Sequence, residues 1–154
     1  MKLHQVIFRS VKELLKQHFG DDIEEYEDGT HLIINSTRIW IASDDSELTV
    51  GYGIVHKHYN PELDDLNEAV EQFFNLLTKR KIITELFKGS YSYKRTVELE
   101  LGNLKYENIG TAMTWLFPYW KKTTKRMTFV DAVIRYSELE EEIKTIRNLC
   151  RTTE

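Results

Sequence analysis

The chain has a single cysteine, two prolines and no apolar run longer than a few residues, and each scarcity removes a class of explanation. The lone thiol, Cys150, can form no disulfide within the chain, and no histidine lies near it in sequence to activate it. At 154 residues a core can be built without covalent or metal staples. Nothing approaches the roughly 20 consecutive apolar residues of a membrane-spanning helix. The opening MKLHQVIFRSVKELLKQHFG has neither a continuous apolar segment nor a small-residue cleavage site, so a cytoplasmic protein with no membrane partner is expected. Also absent are a G-x-S-x-G elbow, a phosphate-cradling glycine loop and a C-x-x-C pair, which weights the reading away from enzymes. No fixed-period repeat, low-complexity tract or Gly/Ser/Pro linker divides the chain, so one domain over residues 1–154 is expected.

What is present describes a globular protein: 41% apolar, 30% charged and 12% aromatic residues. Twenty-five acids outweigh 21 bases, leaving a net charge of −4, and a field of that sign does not draw in nucleic acid. Steps of three and four from Leu3 through Val6, Ile7, Val11, Leu14 and Leu15 to Phe19 predict a helix that Gly20 caps. The following DDIEEYEDG holds six acids and no base and reads as a solvated edge or loop. HLIIN, TRIWIA and ELTVGYGIVHKHY then read as three strands of an antiparallel meander. Alternation along the third places Leu48, Val50, Tyr52, Ile54, His56 and His58 on one face, with Gly51 and Gly53 on the other.

After Pro61, Asp65 and Glu68 form a capping-box pattern, and Leu66, Ala69, Val70, Phe73, Phe74 and Leu77 give a second helix its apolar stripe. Lys79, Arg80 and Lys81 close it at the negative end of its dipole. KIITELF and YSYKRTVELEL read as strands, with Arg95 the one charge on the apolar side of the second. LKYENIGTAMTWLFPYW reads as one or two more, KRMTFVDAVIRY stays open between strand and helix, and SELEEEIKTIRNLC is a terminal helix. The class is α+β, a mainly antiparallel sheet of about six or seven strands with N-terminal, central and C-terminal helices.

Two stretches carry candidate chemistry. His56 and His58 sit two apart on a strand, roughly 7 Å from each other, close enough to share a zinc ion if His31, Glu62, Asp64 or Asp65 completes the set. The competing reading makes them the polar end of a packed strand, with no cofactor. Asp44-Asp45 and Asp64-Asp65 fall in turn and cap patterns, where aspartate serves local hydrogen bonding. In TWLFPYWKKTTKR, Trp115, Tyr119 and Trp120 precede Lys121, Lys122, Lys125 and Arg126, a mixture suited to a protein contact or to stacking on nucleic-acid bases. Asp21, Asp22, Glu24 and Glu25 are the acids placed to steer a basic partner.

A strand ending in His56, His58 and Tyr59, an acidic link from Pro61 to Asp65, a helix from Leu66, a turn at Gly89 and a later strand with Trp115 together form a layout. It covers roughly residues 47–120 and resembles small bacterial proteins found beside polymorphic toxins, some of them assigned as immunity proteins. The resemblance implies a cytoplasmic, non-enzymatic binder that neutralises a toxin by covering its surface. The alternatives are a metal-dependent enzyme using His56 and His58, and nucleic-acid binding through residues 115–126.

Overall fold

The N-terminal spacing becomes helix α1 (Leu3–Phe19) in the computed structural model, which describes residues 1–151. Ile7, Val11, Leu14 and Leu15 line its buried face, and Gly20 ends it at φ 53°. Five strands follow as a meander in spatial order: β1 (Ile23–Tyr26), β2 (His31–Ile34), β3 (Ile39–Ser43), β4 (Leu48–Tyr52) and β5 (Val55–Tyr59). The acidic stretch is thus an edge, with β1 outermost in this first sheet. Helix α2 (Leu66–Thr78) starts where Asp65 accepts a hydrogen bond from the Asn67 amide at 2.8 Å.

A second sheet has the order β8-β7-β6-β9, from β6 (Lys81–Lys88), β7 (Tyr91–Gly102), β8 (Lys105–Met113) and β9 (Thr123–Val130). The open segment around Met127 is therefore a strand, and it pairs with β6 rather than with its sequence neighbour β8. Helix α3 (Tyr136–Arg151) closes the described chain. The α+β class holds with all three helices where expected, while the strands number nine among the described residues and divide into two antiparallel sheets. No helix among them is long and apolar enough to cross a membrane.

One strand of the sequence reading is two in the structure. Gly53, at φ 58°, and Ile54 make a two-residue turn that pairs Tyr52 with Val55 and Leu48 with Tyr59. The turn shifts the side-chain parity, so Val55 and Tyr59 join Leu48, Val50 and Tyr52 on the buried face. His56 and His58 are carried to the opposite, outer face, which corrects the face they were expected to share with Leu48 and Val50.

The helices cover the inner face of the first sheet: α1 and α2 pack on β3 and β4, and α3 packs across α1 and α2. Phe73, Leu76 and Leu77 of α2 and Leu139 and Ile143 of α3 meet Ile39, Ile41 and Val50 in one apolar cluster, which Ile83, Val97 and Leu99 extend into the second sheet. The sheets meet where β8 passes β5. A Cβ at Gly110 would overlap the Val55 side chain, so the seam requires glycine there.

Lys81 is the unexpected member of this core. It begins β6 with no solvent exposure, and its Nζ donates to the carbonyl oxygens of Leu76 at 2.6 Å and Lys79 at 3.0 Å, satisfying acceptors that the end of α2 leaves open. Burial pushes its ammonium group down to about 8 from 10.5. The unfolded chain keeps that proton up to 10.5, so it binds more protons than the folded chain through this window. Wild-type stability is therefore expected to rise relative to Lys81→Met between pH 8 and 10.5, by on the order of 3 kcal/mol. Urea denaturation across that range checks it, and a difference independent of pH would refute it.

Candidate functional site

On the outer face of the first sheet, a row of rings crosses the strands. Trp40 on β3 pairs with Gly51 on β4, and its indole lies over that glycine so closely that any Cβ there would overlap the ring. Its Nε1–H donates to the Gly53 carbonyl at 2.8 Å. His31 stacks on the indole with centroids 4.9 Å apart, and Tyr26 stands edge-on to His31 at 6.3 Å. On the other side His56 lies 5.6 Å from Trp40 and 5.0 Å from His58. The row was invisible in sequence because its members come from four strands; the signal was a glycine in register with a tryptophan.

This setting bears on the zinc reading. His56 Nδ1 lies 3.1 Å from the Ile54 carbonyl, and His58 Nδ1 lies 2.5 Å from Glu47 Oε1 and 3.1 Å from Thr49 Oγ1. Three of the four third ligands expected for them are placed otherwise. Trp40 separates His31 from His56, Asp64 accepts from the Asn60 amide, and Asp65 caps α2. Among the described residues no three His, Cys, Asp or Glu side chains are grouped to hold a metal ion. Cys150 is half-buried, its thiol pushed up chiefly by burial, the direction opposite to that of a nucleophile.

LKYENIGTAMTWLFPYW holds one strand, and its aromatic half is a loop. β8 ends at Met113, and residues 114–122 cross the end of the second sheet before β9 begins. Trp115 is 85% exposed, Leu116 70%, Tyr119 76% and Trp120 72%, four large apolar side chains in water within six consecutive residues. The loop is nonetheless tied down. Phe117 stacks on Tyr93 at 4.5 Å, the Thr114 amide donates to Tyr93 at 2.9 Å, and the Gly89 amide donates to Lys122 at 3.1 Å. Beside it a depression of about 450 Å³ is lined by Ile54, Tyr93, Arg95 and Met113, so the tip of the β4–β5 hairpin shares this surface.

The acids do not join the aromatics. They lie along β1, the far edge of the first sheet, four strand spacings or about 19 Å from β5. Glu25 faces α1 and pairs with Lys12 and Lys16, which hold its carboxyl below the usual range. Glu24 meets the Tyr26 hydroxyl, and Asp21 and Asp22 occupy an exposed turn.

Behind the loop sits the charge the sequence left unexplained. Arg95 pairs across strands with Glu85, and so does Arg126 from β9. Arg95 donates to Glu85 Oε1 at 3.0 and 2.5 Å, and Arg126 to Oε2 at 3.1 and 2.5 Å. These bonds, Arg95's first, hold the buried carboxyl below its ordinary value.

Comparison with family models, with curated proteins and with solved structures finds no match in any of the three.

Gly51→Ala is expected to destabilise the protein by about 2 kcal/mol through overlap with Trp40, and by much less in a Trp40→Ala background; equal costs in both backgrounds, by thermal denaturation, would remove the contact as the cause. Glu85→Gln is expected to cost about 2 kcal/mol at neutral pH. Because the folded carboxyl titrates below 4.5, wild type loses this advantage as pH falls through and below that value, and the two proteins converge in acid. A gap that failed to narrow as the pH falls below 4.5 would contradict the clamp.

Proposed function

We propose that this protein is a non-enzymatic protein-binding module whose contact surface is the β8–β9 loop. The observation that carries the reading is the joint exposure of Trp115, Leu116, Tyr119 and Trp120 on a loop pinned by Phe117 and Tyr93. Four large apolar side chains in water cost free energy that a partner's surface recovers, and tryptophan and tyrosine concentrate binding energy at interface centres. A pinned backbone lowers the ordering cost of binding.

The resemblance to immunity proteins supports a toxin as the class of partner, neutralised by occlusion. Asp21, Asp22 and Glu24 supply steering toward a basic partner from the far edge of the first sheet, Glu25 being neutralised by Lys12 and Lys16. A second reading, single-stranded nucleic acid, is favoured by Lys121, Lys122, Lys125 and Arg126 beside the same aromatics. The geometry gives less support to a metal-dependent enzyme, since among the described residues no three His, Cys, Asp or Glu side chains are grouped to hold a metal ion.

The test is co-expression with the product of the neighbouring gene, where a toxin partner is expected. A stable complex should form with wild type, and each of Trp115→Ala, Tyr119→Ala and Trp120→Ala should weaken it by about 2 kcal/mol or more, with the melting temperature unchanged. Undiminished binding by the triple variant would sink the loop as the contact. A steep loss of affinity for oligonucleotides between low and moderate salt would move the assignment to nucleic acid.

A further inference from the structure

The second sheet ends in an unfinished charge row. Arg95 on β7, Glu85 on β6 and Arg126 on β9 stand in register on one face and alternate in sign. The row stops at Arg126, whose side chain is 64% exposed although two of its nitrogens hold Glu85. On the opposite face, Lys94, Leu86 and Lys125 form the neighbouring row, and it too stops at a cation. Among the described residues no strand lies beyond either: β9 is the end of the sheet, eight residues long, paired to β6 without a register break. It contains no proline and carries Met127 and Phe129 about half exposed. Alternate residues of such an edge turn both their N–H and C=O groups outward, so about four donors and four acceptors are available to another strand.

We infer that the free edge of β9 accepts an extended segment of a partner protein by strand addition, and that this segment carries two adjacent acidic residues, one opposite Lys125 and one opposite Arg126. The inference rests on the proposed protein-binding role of the loop, which runs through Trp120 directly into β9. It adds the chemistry of what lies beside the aromatics. Between Glu107 and Asp131 the chain has no acid and four bases, so the field along this edge is uniformly positive. A carboxylate facing Arg126 continues the Arg95–Glu85–Arg126 alternation by one strand, and a carboxylate facing Lys125 neutralises the other row. Residues i and i+1 of a strand point to opposite faces, which is why the two acids must be adjacent.

Charge also argues against the other occupants. Two β9 edges together would set Lys125 and Arg126 of one copy among those of the other. The chain's own acidic edge, β1, spans only Ile23–Tyr26, and one of its two glutamates is already held by Lys12 and Lys16. A DNA backbone would meet the cations, but it offers no donors to the outward carbonyl groups, and the 2′-hydroxyls of RNA lack the spacing of a strand's amides.

The experiment uses the full chain and an acetylated, amidated octapeptide of threonine and valine with a central Glu-Glu pair, read by fluorescence anisotropy and by amide hydrogen exchange. Saturable binding is expected, with exchange slowed in β9 and not in β1, and affinity reduced roughly tenfold by Lys125→Glu, which reverses a charge directly opposite an acid. Lys125→Ala, a milder change at an exposed position, should weaken binding less and leave the fold intact. The same peptide with a central Lys-Lys pair should not bind wild type, and one in which only the acid opposite Lys125 is exchanged for lysine should bind the Lys125→Glu variant better than wild type. Absence of binding, or binding without protection of β9, would overturn the inference while loop-dependent capture of the neighbouring gene's product still stood. Concentration-dependent self-association abolished by Glu24→Lys would overturn it in favour of a second copy, and protection of β9 by oligothymidylate in place of the peptide would overturn it in favour of nucleic acid. Peptide binding that survives the triple loop substitution, with partner capture lost, would support both assignments separately.

Discussion

The far half of the second sheet depends on one carboxylate. Glu85 lies in the middle strand of three and takes hydrogen bonds from arginines on both neighbours, so β7, β6 and β9 are fixed to one another at the end where the aromatic loop crosses. A buried acid alone would be expensive; two guanidinium groups make it a fastener instead. Because Arg126 belongs to β9, the same bonds decide how the exposed edge of that strand is presented. Lys81, at the opposite end of β6, does comparable work by charge, joining the sheet to the last carbonyl groups of α2. One strand thus holds two buried ionic groups, and between them Ile83 reaches the common core.

Much of this architecture can be read from the chain itself. The helices announce themselves because Ile7, Val11 and Leu14, or Val70, Phe73 and Leu77, repeat at helical spacing and are buried as that spacing requires. The turns at Gly89 and at Gly102-Asn103 are marked by residues that tolerate positive φ, which Gly89, Gly102 and Asn103 all adopt. Other features are hidden for definite reasons. Val50-Gly51-Tyr52-Gly53-Ile54 alternates without interruption, and nothing local shows that Gly51 receives an indole while Gly53 turns the chain. A single misplaced turn then moved His56 and His58 to the wrong face, because parity along a strand leaves no partial error.

The candidate site was legible in composition and not in form. Trp115, Tyr119 and Trp120 stood out as residue types, yet strong β-propensity disguised a loop as a strand, and only the stacking of Phe117 on Tyr93 shows how it is held. The acidic residues form a run in sequence, and the structure tells them apart. Alternation along β1 sends Glu25 to the lysines of α1 and Glu24 outward, so one of the six acids is neutralised within the fold. Arg95 was recognisable as an anomaly on an apolar face. Its partner lies ten residues away on another strand, a relation that strand pairing alone reveals.

The pairing of β9 with β6 also sets an order in time. The first sheet is made of successive hairpins, whose contacts close short loops, whereas seating β9 encloses everything from Gly89 to Lys122. Contacts of long sequence separation carry the larger loop-closure cost, so the meander is expected to form before the edge strand is seated. The aromatic loop lies inside that final closure. Its tryptophans take their outward geometry only with β9 paired to β6, so the contact surface depends on the longest-range strand pairing of the second sheet.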